Sequence, residues 1–66
     1  MKNRILYFRR KAGMTQETLA KAAGISRTTL WALENNKAAT VLSSTILSIA
    51  HALGTTVDDL FFEEKV

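Results

Sequence analysis

Two short helix-forming patterns meet at Gly24, and this junction constrains the fold more than any other feature of the sequence. Thr15 can cap the first helix and Ser26 the second, because a hydroxyl oxygen accepts a hydrogen bond from a backbone N–H one turn ahead. Gly24 is suited to end the first helix, since glycine adopts the left-handed conformation without steric cost. Apolar residues recur at helical spacing in both patterns: Leu19, Ala20 and Ala23, then Leu30 and Leu33. We therefore predict two helices joined by a tight turn.

Residues 15–35 have the spacing of a helix-turn-helix, a motif whose second helix lies in the major groove of DNA. Residues 1–37 carry eight basic and two acidic side chains, whereas residues 38–66 carry one basic and four acidic side chains. A basic half suits a polyanion, because each phosphate contact by Lys or Arg releases a counterion. The same asymmetry also arises by chance in a small domain that needs surface charge for solubility. The motif and the charge together favour double-stranded DNA as a partner.

Length and composition exclude several other classes of protein. The 66 residues suffice for one domain, 1–66, and the absence of cysteine excludes disulfides and thiolate metal sites. The sequence has neither an apolar run of about 20 residues nor a signal-peptide pattern, so we expect no membrane segment and a cytoplasmic location. His51 is the one histidine and has no cysteine or clustered carboxylates beside it. We expect no metal, no cofactor, no catalysis and no small-molecule effector.

A first helix is predicted from Met1 to Ala12, with Ile5, Phe8 and Ala12 on its inward face and Gly13 as its end. Asn36 follows the third helix, where asparagine is the best residue after glycine for a left-handed conformation.

Two further helices are predicted after a linker. The fourth begins at a cap on Ser43 or Ser44 and runs to about Leu53. Thr56 caps a short fifth helix, with Asp59 at capping-box spacing. The tail, residues 62–66, either frays or forms a short edge strand.

The stretch TQETLAKAAGISRTTLWALENNK, followed by ILSIAHALGTTVDDLF, resembles the Cro and phage-repressor type of helix-turn-helix regulator, the xenobiotic-response-element-like (XRE) family. The resemblance extends from Ile5 to Phe61. It implies an all-α, five-helix, lambda-repressor-like domain that binds DNA. The chain departs from the family pattern at Asn36, where glycine is commoner. Its linker lacks the frequent proline, is about one residue longer and carries a single lysine.

The resemblance also implies site residues. Gln16 matches a residue whose side chain and backbone N–H anchor a phosphate, in agreement with the attraction of helix N-termini for anions. Arg9 and Glu34 match a partly buried ion pair between the first and third helices. The remaining DNA-binding positions fall into two sets. Base edges and the adjoining backbone are faced by Arg27, Thr28, Trp31 and Ala32. The flanking phosphates are held by Thr29, Asn35 and Lys37, with Ser26 as the cap of the recognition helix.

Two of these residues have alternative interpretations. Arg27, in the first turn of the groove helix, donates two hydrogen bonds to guanine, contacts a phosphate or is simply solvated. Trp31 either contacts a sugar-phosphate or a thymine methyl group, or packs over the surface toward the second or fourth helix.

Several large apolar residues remain for a second copy of the chain. Leu6, Tyr7 and Phe62 fall outside the predicted core, and a small protein rarely exposes such groups without a partner. We expect a homodimer built from the fifth helix and the tail, including Leu60 and Phe61, with weak self-association as the alternative. A two-fold dimer suits a palindromic operator, because two recognition helices then meet successive grooves.

The predicted function is transcriptional regulation, with repression favoured. The alternatives are an antitoxin or restriction-modification controller that uses the same domain, or a module for protein interaction only.

Overall fold

Five α-helices form the secondary structure of the residues that the computed structural model describes, 3–38 and 40–61. They are α1 (Ile5–Lys11), α2 (Gln16–Ala23), α3 (Arg27–Glu34), α4 (Ser43–Leu53) and α5 (Val57–Phe61). The prediction of an all-helical domain with five helices is confirmed. The tail for which an edge strand was considered, residues 62–66, lies outside the described residues.

The two helices of the helix-turn-helix begin as the sequence predicts. Thr15 Oγ1 accepts a hydrogen bond from the N–H of Thr18 at 3.0 Å, and Ser26 Oγ accepts one from the N–H of Thr29 at 3.0 Å. In each cap the first hydroxyl also donates to the second, at 2.9 Å from Thr15 to Thr18 and 2.8 Å from Ser26 to Thr29. Each cap therefore pairs one backbone N–H that the helix itself leaves without a partner.

Left-handed residues end both helices of this motif. Gly24 has φ 73° and Asn36 has φ 57°. The N–H of Ile25 donates to the carbonyl of Ala20 at 2.9 Å, and the N–H of Lys37 donates to the carbonyl of Ala32 at 2.7 Å. These are the six-residue hydrogen bonds of the Schellman motif, which requires a left-handed residue at the turn. Asn36 thus fulfils the role that glycine fills at position 24.

A single apolar core joins the helices, and α2 packs against both α3 and α4. Its buried members are Ile5, Leu19, Ala20, Ala23, Leu30, Leu33, Ile49, Ala50 and Leu60. Phe8, Met14 and Ile25 pack against this core from its edges. The core therefore holds α2 and α3 from behind and leaves the outer side of α3 on the surface.

The predicted start of α1 and the predicted inward placement of Ala12 are wrong, whereas Gly13 ends the helix as predicted, with φ 73°. The helix begins at Ile5, because Asn3 Oδ1 accepts the N–H of Ile5 at 3.0 Å and the N–H of Arg4 donates to the carbonyl of Leu60 at 2.7 Å. Its last residue is Lys11, and Ala12 is exposed in the following turn, not on the inward face. Met1 and Lys2 lie outside the described residues.

The prediction that Ser43 or Ser44 caps α4 is also wrong. Both serines lie inside the helix, and Leu42 occupies the N-cap position. A leucine side chain cannot accept a hydrogen bond, so α4 begins without a side-chain cap. Instead, α4 packs on α2, and its inward residues Ile49 and Ala50 are buried in the shared core.

Leu60 was expected at a dimer interface, and this prediction is wrong because its side chain is 0% exposed within one chain. Phe61 is partly buried against the same core, and Phe62 lies outside the described residues. Leu6 is partly buried, whereas Tyr7 is 50% exposed. Two residues that the sequence did not single out are more exposed than Tyr7, namely Leu42 at 63% and Leu47 at 60%.

The described residues, 3–38 and 40–61, contain no helix of the length and apolarity needed to cross a membrane.

Candidate nucleic-acid interface

The residues that anchor the inner side of α3 in the core determine which residues lie on its outer side. Leu30 is completely buried and Leu33 is 3% exposed, so these two side chains fix the rotation of the helix about its axis. Arg27, Thr28 and Trp31 consequently face solvent. Ser26 and Thr29 are also exposed, at the beginning of the helix. Ala32 is partly buried at the margin of this surface.

A shallow depression on this surface is lined by Gln16, Arg27, Thr28 and Trp31. Gln16 is the first residue of α2, so the depression lies between the start of α2 and the outer side of α3. It combines a guanidinium, an amide and a hydroxyl with the apolar face of an indole ring. Trp31 is 48% exposed and borders the depression with Arg27 and Thr28. The structure therefore brings together four of the residues that the sequence assigned to DNA.

The hydroxyl groups at the start of α3 leave a hydrogen-bond donor on the surface. Ser26 Oγ accepts from the backbone of Thr29 and donates to Thr29 Oγ1 at 2.8 Å. In that arrangement the proton of the Thr29 hydroxyl is directed away from Ser26 and can be donated to an external acceptor. A phosphate oxygen is such an acceptor, and the positive end of the helix dipole lies at the same place.

Behind this surface, Arg9 and Glu34 form the ion pair that the resemblance implied. Arg9 Nε lies 2.6 Å from Glu34 Oε2, and Arg9 Nη2 donates to Oε1 at 3.3 Å. The two side chains are 12% and 3% exposed. Arg9 Nη1 also donates to the carbonyl of Met14 at 3.0 Å. The guanidinium thereby links α1, the turn before α2 and the end of α3.

Gln16 joins the same network, which the sequence did not reveal. Its Nε2 donates to Glu34 Oε1 at 2.9 Å. One N–H of the amide is therefore used within the chain, and Gln16 also lines the depression. Glu34 receives hydrogen bonds from two helices, and its carboxylate is paired with Arg9. A carboxylate near a DNA surface otherwise repels phosphates, so this pairing makes the surface more favourable for DNA.

The C-terminal end of α3 carries the remaining predicted contacts. Asn35 is exposed, and its Nδ2 donates to the carbonyl of Trp31 at 2.8 Å, so the side chain closes the last turn of the helix. Lys37 is exposed directly after Asn36, and the Schellman turn fixes the direction of its backbone. The structure therefore places Lys37 beyond the end of α3, with the depression toward the other end of the helix.

Asn3, which the sequence did not single out, connects α1 to the end of α3. Its Nδ2 donates to the carbonyl of Leu33 at 2.9 Å and approaches Asn36 Oδ1 at 3.3 Å, while its Oδ1 accepts from Ile5. One signal was present in the sequence, since asparagine two residues before an apolar helical pattern is a frequent capping residue. Its contact with Leu33, 30 positions away, has no local signal.

Known proteins can be compared with this geometry. The sequence model of the Cro/C1-type HTH DNA-binding domain matches residues 4–62. The chain belongs to this family. A relative from Methanocaldococcus jannaschii, an uncharacterized HTH-type transcriptional regulator, is 39% identical over 64 residues, which are 97% of this chain and 96% of the relative. A second relative of the same description, from Archaeoglobus fulgidus, is 43% identical over 92% of this chain and 86% of its own length.

Solved structures resemble the Cro/C1-type domain described above. A chain in the complex of the SinR and SinI proteins has a TM-score of 0.84 and 25% identity, over 91% of this chain. A hypothetical transcription factor from Neisseria, NHTF, has a TM-score of 0.77 and 33% identity, over 83% of this chain. The match spans 58% and 61% of those two chains. This protein is a DNA-binding helix-turn-helix transcriptional regulator.

Proposed function

We propose that this regulator represses transcription by binding a palindromic operator as a homodimer in the cytoplasm, without catalysis. The observation that carries the proposal is the common depression of Gln16, Arg27, Thr28 and Trp31 on the outer side of α3. It presents donors for phosphate and base edges on a helix that the core holds at a fixed rotation. Arg27 is the proposed reader of guanine, because a guanidinium can donate to O6 and N7 together.

Contacts with phosphate frame this reading surface. Gln16 is proposed to bind a phosphate through its backbone N–H and its second amide N–H, at the positive end of α2. Thr29 contributes its hydroxyl at the start of α3, and Asn35 and Lys37 contact the backbone beyond its end. These contacts position α3 in the groove, whereas Arg27 and Thr28 discriminate between sequences.

The size of α3 supports a dimer. Its eight residues span about 12 Å, which corresponds to roughly three or four base pairs at 3.4 Å per step. So short a sequence occurs too often in a genome to mark one operator. Two copies related by a two-fold axis read two half-sites about 34 Å apart and double the information.

Exposed apolar groups supply surface for that second copy. Leu42 and Leu47 expose more than half of their side chains, and Tyr7 exposes 50%. The ring of Tyr7 has cation–π contacts within the chain, since the guanidinium carbon of Arg4 lies 5.1 Å and the ammonium of Lys11 5.7 Å from its centre. Leu6 and Phe61, which the sequence also assigned to the dimer, are partly buried.

Repression requires no further contact in this proposal. A dimer on an operator that overlaps a promoter blocks polymerase by occupying the same DNA. A reporter gene placed behind the operator is expected to fall in expression when the protein is produced, and to remain unchanged with the Arg27→Ala variant. A rise in expression would contradict repression while leaving DNA binding intact.

Selection of duplexes from a random pool tests the proposal as a whole. The expected result is an inverted repeat whose half-sites are one helical turn apart, bound by a species with twice the mass of the chain in light scattering. Absence of enrichment, together with no binding to any duplex in a low-salt anisotropy titration, would overturn it. Enrichment of one undivided half-site by a monomer would contradict the dimer alone.

A further inference from the structure

Trp31 contributes an apolar surface that the fold does not use. The packing of α3 depends on Leu30 and Leu33, which are 0% and 3% exposed, whereas the indole is 48% exposed. Trp31 borders a surface that otherwise consists of polar and cationic groups. Exposed tryptophan in such a position is suited to a ligand that offers an apolar group next to polar ones.

The neighbours of Trp31 define what such a ligand must contain. Arg27 lies one helical turn before Trp31, and residues four apart on a helix have their Cβ atoms about 6 Å apart. Base pairs rise by about 3.4 Å, so two such side chains reach base edges that are one or two base pairs apart. Thr28 adds a methyl group to the same depression. The site combines an apolar patch with a guanidinium at the distance of adjacent base pairs.

In the major groove, the C5-methyl group of thymine is the apolar feature of the base edges. Cytosine lacks that methyl group, and both purines present hydrogen-bonding atoms instead. A half-exposed indole gains from covering a methyl group and gains nothing from a bare polar edge.

We propose that the depression accepts the 5-methyl group of a thymine against Trp31, one or two base pairs from the guanine that Arg27 contacts. The inference rests on the proposed binding of α3 to DNA and adds a second position of sequence preference to it. It assigns Trp31 to base discrimination, since a tryptophan lying on sugar and phosphate would be indifferent to sequence.

Replacement of thymine by deoxyuridine tests this directly, because it removes the methyl group and leaves every hydrogen-bonding atom of the base edge in place. The starting duplex is the one enriched from the random pool. Each thymine is replaced singly, and dissociation constants are measured by anisotropy. Burial of one methyl-sized group changes an equilibrium constant about fourfold. We expect one thymine in each half-site to show a loss of about that size when replaced.

The Trp31→Ala variant tests whether the effect of the methyl group depends on Trp31. The variant is expected to bind the thymine and the deoxyuridine duplex equally at that position. Glu17→Ala is the control, because Glu17 is exposed on α2 and belongs neither to the proposed DNA contacts nor to the proposed dimer surface, and this variant should keep the fourfold difference. Thermal unfolding establishes that both variants fold, and Trp31→Gln replaces Trp31→Ala if the latter does not.

The possible results separate this inference from the proposed function. Enrichment and binding without any effect of deoxyuridine would overturn the thymine contact and leave DNA binding intact. A fourfold effect that persists in the Trp31 variant would assign the methyl group to another residue and would also overturn it. Equal weakening of both duplexes by Trp31→Ala would place the indole on the sugar-phosphate backbone. Failure to bind any duplex would overturn the proposed function itself.

Discussion

The start of each helix in the helix-turn-helix is capped by the side chain of the residue just before it, whereas the start of α1 is held by contacts with distant parts of the chain. Thr15 and Ser26 each accept the N–H of a residue three positions ahead. The start of α1 instead depends on Asn3, which reaches the carbonyl of Leu33, and on the backbone of Arg4, which reaches Leu60. The difference separates a locally encoded motif from a helix that is placed by tertiary structure.

This contrast has a functional meaning. The local caps determine at which residue α2 and α3 begin. The positions of Arg27 and Thr28 in the first turn of α3 therefore follow from nearby sequence. The network around Glu34 determines how α1 is held against that motif. Substitutions in the caps should therefore destabilise the starts of α2 and α3, whereas substitutions in the network should weaken the attachment of α1 to the motif.

The largest effect is expected at Glu34. Glu34→Ala leaves Arg9, which is 12% exposed, without its partner and releases the amide of Gln16. Removal of one member of a buried ion pair lowers the free energy of unfolding by about 3 kcal/mol. Denaturation by urea measures it. The control is Glu17→Ala, on the exposed first turn of α2, where a loss of under about 1 kcal/mol is expected. Equal effects of the two variants would contradict the network.

Asn3→Ala is expected to come next. The change removes the acceptor for the N–H of Ile5 and the donor to Leu33, so the free energy of unfolding should fall by about 1–2 kcal/mol. Relative to the wild type, the rate of amide hydrogen exchange should increase more in α1 than in α2. Uniform acceleration in both helices would show that α1 is not separately held by these contacts.

Caps provide a comparison between matched hydroxyl residues. Ser26→Ala should lower the free energy of unfolding by about 1 kcal/mol, because Ser26 accepts the N–H of Thr29. Ser43→Ala should have little effect, since Ser43 lies inside α4, where alanine has the higher helix propensity. Urea denaturation of the two variants measures the difference. Equal losses would mean that Ser43 also stabilises the start of its helix.

The smallest effect concerns α5, which has a local cap outside the motif. Hydrogen bonding from the Thr55 hydroxyl lowers the pKa of Asp59 below its ordinary value of 3.8, with bonds from Thr56 and the charge of Arg4 acting in the same direction. Burial acts in the opposite direction. A lowered pKa in the folded state stabilises above the ordinary value, and that contribution is lost as the pH falls through the folded pKa.

Asp59→Asn should therefore remove a small part of the loss of folding stability that occurs at acidic pH. Melting temperatures of wild type and variant are expected to differ near neutral pH and to converge as the pH falls below 3.8 and through the lowered pKa of Asp59. A constant difference over this range would show that the charge of Asp59 is not the cause.

Residues 15–36 were predictable because each feature has a local chemical signal. Hydroxyl residues mark the starts, Gly24 and Asn36 mark the turns, and apolar spacing indicates the rotation of both helices. The bond from Gln16 to Glu34 was not predictable, since 18 positions separate the two residues and no short-range pattern joins them. Ser43 and Ser44 misled the prediction because serine is a common cap, yet packing of α4 on α2 outweighs that preference.

Exposure was the least predictable property of single residues. Leu60 belongs to a helix that packs on α4, and its complete burial depends on that arrangement. Leu47 carries the same type of side chain and lies on the outer side of α4. Composition does not distinguish the two leucines, whereas the rotation of their helices in the assembled core does.

The central claim is that the outer side of α3 discriminates between DNA sequences, and Arg27→Ala tests it most directly. Anisotropy titrations compare the enriched duplex with a scrambled duplex of the same composition, for wild type, Arg27→Ala and Lys37→Ala. We expect Arg27→Ala to reduce the preference for the enriched duplex by about 5- to 160-fold for each half-site, the equivalent of about 1–3 kcal/mol. Lys37→Ala should weaken both duplexes alike and lower the salt slope by about one for each Lys37 in the complex. An unchanged preference in Arg27→Ala would contradict the claim.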